Sequence, residues 1–457
     1  MFRKAGILIE KCKRQRRKRK MSGIRLKNGF IVTDKSVEAV DVVLSGGHIN
    51  FSGKKAECEK TIDVKGKYIL PGFVDIHMHG YELFNFSFGL YNPDTNVYDN
   101  SAAVYENGFD RLRRKLTEFG VTGFYLASLV APIETLKYCY KRLSDYLSKA
   151  NGFDRPASGS SGGACLFGGL LEGPFVNPER AGAMNQSLIL EPSREAFDSI
   201  GDGGNVKLAN VVPDWGAKSR ELTKYLTEKG VIVGAGHTSA TYNQIAEAVK
   251  AGLKYCIHFT NQTGGIYKPF DGGGAIEAVL SFDELYAELI MDGYHISPAY
   301  VRDIIERKGT GKIIGITDCS FAAGSSLKRF KSGGVGGEFS EDRKYIAVEG
   351  KKNTLYGSNL TMNQAFENVL NWLTTEMEGV WNRSHRALPF EQGLAAASKI
   401  CSGNACQLTG LRKEGLGQIC DGGKADIVVV DISGAQGSYK VSVEITIVDG
   451  DIEYFRE

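Results

Sequence analysis

Seven histidines occur in 457 residues, and two of them, His77 and His79, stand one residue apart in the stretch "PGFVDIHMHG". The apolar run before them reads as a buried strand. Residues i and i+2 of a strand share a face, so both imidazoles point the same way off its end. His237 ends "VIVGAGH", His258 lies in "YCIHF", and His295 follows "YAELIMD" in "DGYH". Glu172 closes "LFGGLLE" and Asp318 closes "KIIGITD", whereas His48 and His385 fall outside the pattern. Taken singly, each is weak evidence, because an acid after a strand is more often a helix cap. Taken together, four imidazoles and a carboxylate on one rim need partners, since buried polar groups are costly when unpaired. A divalent ion supplies such a partner. Imidazole with carboxylate suits Zn²⁺, with Fe²⁺ or Mn²⁺ as alternatives. In this reading His77, His79, Glu172, His237 and His258 hold one or two ions. Asp318, placed across the mouth from the histidines, is the general base that takes a proton from an activated water.

These residues must be carried by elements that converge. Eight short apolar runs follow residue 70, over 73–77, 123–130, 166–172, 206–212, 231–237, 255–259, 286–292 and 312–318. Between them lie stretches such as "FDRLRRKLTEFG" and "YNQIAEAVKAG", with apolar residues at helical spacing. Eight alternations of strand and helix predict an α/β chain folded as a closed (β/α)₈ TIM barrel, with chemistry at the C-terminal ends of the strands. Residues 22–70 and 415–457 carry β patterns with turns instead, within terminal segments bounded at 22–70 and 405–457. Neither is large enough to close a β core alone, so the two are expected to combine into one small β-sandwich beside a barrel formed by 71–404. Gly- and Ser-rich stretches over 151–164 and 331–342 read as surface loops.

Composition sets the outer bounds. The net charge is +3, but residues 1–20 hold ten Lys and Arg against one Glu, which leaves −6 for the rest. A mildly acidic body argues against nucleic-acid binding. Residues 1–21 read as a basic, disordered tail whose deletion should leave folding and turnover unchanged. Nine scattered cysteines without a C-x-x-C fit a reducing cytoplasm rather than a disulfide framework. No apolar run reaches the length of a membrane span.

The motifs also carry a resemblance. "PGFVDIHMHG", "LLEGPFVNPERAGA", "GAGHTSA", "HFTN", "DGYHISP", "ITDCSFAAG", "LYGSNLTM" and "GQICDGGKADIVVVD" occur in that order. From residue 22 to 457 the chain resembles the N-acetylglucosamine-6-phosphate deacetylases of the amidohydrolase superfamily. The resemblance implies deacetylation of N-acetylglucosamine-6-phosphate to glucosamine-6-phosphate and acetate, by a homodimer taking a small N-acetylated substrate. It implies that Glu172, His237 and His258 bind metal, that Glu172 bridges when two ions are present, and that His77 and His79 hold the second position. Asp318 would be the acid and base, with Asn261, Gln262 and His295 facing the substrate. Two departures stand out. A histidine that polarises the scissile carbonyl in the family is replaced by Met184, which has no hydrogen to donate. A phosphate-binding arginine is missing from 261–274, where Lys268 is the one cation, and lysine does not reproduce a bidentate fork. Another amide substrate on the same scaffold is therefore the alternative.

Overall fold

The structure is a computed structural model that describes residues 23–51, 58–149, 162–201, 204–265, 272–351, 353–380 and 383–457. The basic tail, most of the 151–164 stretch and Lys268 lie outside the described residues.

The eight apolar runs form one sheet of eight strands in chain order: β1 (Phe73–Met78), β2 (Val121–Ser128), β3 (Cys165–Leu171), β4 (Val206–Asn210), β5 (Ile232–Ala235), β6 (Tyr255–Cys256), β7 (Tyr286–Ile290) and β8 (Ile313–Ile316). Every neighbouring pair is parallel. The sheet closes where β8 returns to β1. The Asp318 N–H donates to the His77 carbonyl at 2.9 Å, and the His79 N–H donates to the Cys319 carbonyl at 2.9 Å. This is the (β/α)₈ barrel expected from the alternation. Helices such as Ala102–Thr117 and Met362–Thr374 bury one apolar face against it, through Phe109 and Leu112 in the first and Phe366 and Val369 in the second.

Several strands stop short of their expected ends, and the reason is local. The apolar runs continue into His237, His258 and Asp318, but these three hold left-handed φ values of 57°, 29° and 49°. A strand cannot continue through that conformation. The backbone leaves the sheet at these residues and turns their side chains toward a common centre.

The two ends of the chain combine into sheets as expected, but the C-terminal segment opens with helical turns, Asn404–Thr409 and Leu411–Glu414, before its first strand at Ile427. One four-stranded sheet comes from residues 23–63. A six-stranded sheet runs in the order Asp451–Phe455, Lys440–Val448, Ile427–Ser433, Tyr68–Pro71, Phe30–Val32 and Val37–Ala39. The join is the antiparallel pairing of Ile427–Val430 with Tyr68–Pro71. Leu26, Val42, Ile49 and Ile69 pack with Ile427, Val429 and Ile445 between the sheets. Tyr68–Pro71 leads, after Gly72, directly into β1, so the sandwich fixes where the first barrel strand begins.

One expectation fails. Residues 331–342 are not a plain loop but part of a three-stranded antiparallel sheet, Arg329–Ser332, Val335–Phe339 and Ile346–Val348. Phe330, Phe339, Ile346 and Val348 are buried against Phe321, Tyr91 and Tyr356. The glycines that suggest a loop sit at its turn, where Gly333 and Gly334 have positive φ. This insert follows β8 and forms one wall of the barrel mouth.

Candidate active site

The six predicted polar residues meet at the C-terminal rim of the barrel in two adjacent groups. His77, His79 and Asp318 form one; Glu172, His237 and His258 form the other, and all six are buried. Glu172 touches both. Its Oε1 is 2.9 Å from His258 Nε2, 3.3 Å from His237 Nε2 and 3.7 Å from His77 Nε2, while its Oε2 is 3.4 Å from His79 Nε2. Asp318 Oδ1 lies 3.0 Å from His79 Nε2 and 3.8 Å from His77 Nε2. The carboxylate is thus beside the histidines, not across the mouth from them. Closure makes the eighth strand the neighbour of the first, which a linear reading of the chain conceals.

Groups behind the rim aim the imidazoles. His79 Nδ1 donates to the Ala127 carbonyl (3.0 Å) and His237 Nδ1 to the Arg180 carbonyl (2.6 Å). His77 Nδ1 meets Glu288 Oε2 at 3.1 Å, and the same carboxylate oxygen accepts the His258 N–H at 3.1 Å. With Nδ1 of His79 and His237 carrying the proton, their Nε2 is left bare toward the centre, as metal-binding histidines require. Glu288 was not singled out from the sequence. The available signal is a lone carboxylate inside the apolar run "YAELIMD", and it is fully buried on β7.

Electrostatics follow from this crowding. Burial pulls the His77 imidazole down, but Glu172 and Glu288 outweigh it and its pKa is raised well above the ordinary value. Burial pushes Glu172 up, and the surrounding histidines outweigh that, holding it well below the usual carboxylate range. Asp318 follows the same pattern: burial raises it, while the His79 hydrogen bond and nearby imidazole charge bring it below its ordinary value. The donor set fits divalent metal. His77 Nε2 and Glu172 Oε2 are buried without a hydrogen-bond partner among the described residues, and each group brings two imidazole nitrogens and one carboxylate within 4.8 Å of one another, which matches the ligands of Zn²⁺ or Fe²⁺.

The centre opens into a cavity of about 620 Å³ lined by His79, Glu172, His237, His258 and Asp318. Asn261, Gln262, His295 and Met184 line it as well. Asn261 Nδ2 is buried without a partner among the described residues, and His295 is held by Asp292 Oδ2 at Nδ1 (2.6 Å). His48 lies on the sandwich, while His385 is buried against Asp303 Oδ1 (2.6 Å). Both are away from the site, as the sequence pattern implied.

No family model matches the chain. Curated relatives do. The N-acetylglucosamine-6-phosphate deacetylase of Lysinibacillus sphaericus is 27% identical over 401 residues, covering 86% of this chain and 90% of that protein. The Bacillus subtilis (strain 168) protein of the same name is 26% identical over 445 residues, with 93% and 97% covered. This chain resembles the N-acetylglucosamine-6-phosphate deacetylases along most of its length. The human deacetylase is 26% identical over 429 residues, with 90% and 91% covered. Solved deacetylase structures share the fold. The Mycobacterium smegmatis protein superposes with a TM-score of 0.74 at 22% identity, covering 94% of this chain and 99% of that one. The Thermotoga maritima protein gives 0.71 at 23% identity, with 94% and 100% covered.

One residue tests how tightly the rim is built. Gly80 follows His79 with φ +151°, and a Cβ there would lie 1.8 Å from the Phe84 carbonyl oxygen. Backbone cannot yield that distance cheaply. Gly80→Ala should cost on the order of 2 kcal/mol or more and displace His79. Denaturant unfolding and metal content together check this: unchanged stability with full metal loading would show that the turn is tolerant.

Proposed function

We propose that this protein is a metal-dependent amide hydrolase that removes the acetyl group of N-acetylglucosamine-6-phosphate. The observation that carries this reading is the pair of ligand groups joined through Glu172 at the floor of one cavity. His77, His79, Glu172, His237 and His258 would hold one or two divalent ions, Zn²⁺ first and Fe²⁺ or Mn²⁺ as alternatives. When bound, such ions supply Lewis acidity that polarises a carbonyl and makes water a better nucleophile. Asp318 is the chain's own proton carrier. Its carboxylate, kept ionised by the neighbouring imidazoles, takes the proton of the water whose oxygen adds to the amide carbon. It then delivers that proton to the amide nitrogen as the C–N bond breaks, so that acetate and the free amine leave. Asn261, Gln262 and His295 line the space where the sugar would lie.

The supporting feature is the resemblance to the deacetylases along most of the chain. Among the described residues, no helix is long and apolar enough to cross a membrane. The homodimer expected from the sequence is checked by sedimentation of the purified chain. A second reading, cleavage of another N-acyl amide, is favoured by Met184, which lines the cavity where a hydrogen-bond donor would help. The test compares kcat/KM for N-acetylglucosamine-6-phosphate, N-acetylglucosamine and a panel of N-acyl amino acids. Turnover led by the phosphorylated sugar, abolished by chelator and restored by Zn²⁺, Fe²⁺ or Mn²⁺, is the expected result. Turnover of an N-acyl amino acid without either sugar would establish the second reading.

A further inference from the structure

Resting on that proposed function, the charges around the cavity point to a residue that recognises the substrate's anionic end. The ligand groups at the floor face the substrate's acetamido end, so the phosphate, at the far side of the sugar, lies toward the rim. Among the described residues, Lys351 is the one lysine or arginine that lines the cavity. It sits on the loop after the Ile346–Val348 strand of the inserted sheet. Its backbone is fixed by the Lys351 N–H to the Val348 carbonyl (3.1 Å), within a turn at Gly350, whose φ is +73°.

The side chain crosses toward the loop that follows β3. Lys351 Nζ donates to the Gly182 carbonyl at 3.2 Å, two residues from Met184. Other cations nearby are committed. Arg343 spends its guanidinium on the Leu327 and Ser325 carbonyls, Lys344 pairs with Asp342, Arg180 Nε donates to Ser239 Oγ, and none of the three lines the cavity. Lys351 meets only a neutral carbonyl and makes no ion pair among the described residues. An ammonium has three donors, so two remain for an incoming anion. We propose that Lys351 is the cationic anchor for the phosphate of the substrate, in place of the arginine missing from 261–274.

The experiment measures kcat/KM for N-acetylglucosamine-6-phosphate and N-acetylglucosamine with wild type, Lys351→Met and Lys351→Arg. The ratio of the two values reports phosphate recognition and cancels any general effect of loosening the Gly182 loop. In Lys351→Met that ratio should fall about tenfold, through KM for the phosphorylated sugar, because one charge-assisted contact at an exposed rim is lost. Lys351→Arg should keep most of it. Added salt should erode the preference in wild type and have little effect in Lys351→Met. An unchanged ratio in Lys351→Met, or an equal loss on both sugars, overturns the anchor while leaving the deacetylase reading intact. A wild type that turns over neither sugar overturns the proposed function and the anchor with it.

Discussion

Replacing Asp318 by Asn is expected to lower kcat by roughly 10²–10⁴, the usual worth of a positioned acid–base group. Asparagine keeps the shape of the side chain and loses its basicity. The site makes this change informative, because Asp318 Oδ1 is 3.0 Å from His79 Nε2 and the carboxylate is buried. The other carboxylates near the rim are already engaged. Glu172 is surrounded by four imidazoles, and Glu288 is held behind His77 and His258. Because Asp318 also lies among the ligand atoms of the His77 and His79 group, metal content must be measured alongside turnover. The Glu172, His237 and His258 group should still load in the variant. A kcat within a few-fold of wild type at full metal content would remove Asp318 from proton transfer.

The second large effect belongs to Glu172. Its two oxygens reach all four imidazoles, so Glu172→Ala opens both groups at once. Even indirect supports of metal ligands are commonly worth 10–100-fold in affinity, and a shared carboxylate should exceed that, with affinity falling by at least about a hundredfold. Turnover should then be undetectable at micromolar metal. Elemental analysis and metal titration check the claim, with His385→Gln as the comparison, since His385 is buried against Asp303 far from the rim. Equal metal occupancy in Glu172→Ala and wild type would sink the proposed donor set.

Sequence by itself determined the alternation that makes a barrel, because strand and helix differ in apolar period and the two signals alternate eight times after residue 70. It also singled out the residues that meet at the rim, since His77, His79, Glu172, His237, His258 and Asp318 each lie at or near the end of an apolar run. The pairing of the two chain ends was legible because neither could bury a β core alone. What the sequence left hidden are relations between residues distant along the chain. Asp318 is beside His77 only because the barrel closes, bringing residues 241 positions apart into one backbone hydrogen bond. Glu288 looks like a misplaced charge within β7 until His77 and His258 are placed over it. The Gly-rich stretch after β8 looks like a loop until Phe321, Tyr91 and Tyr356 supply the surface its apolar residues cover. Periodicity is a local property, fixed by backbone geometry over a few residues. Which side chains share a proton, an ion or a buried surface is decided by tertiary packing, because those interactions act across only a few ångströms of space, however long the chain between them.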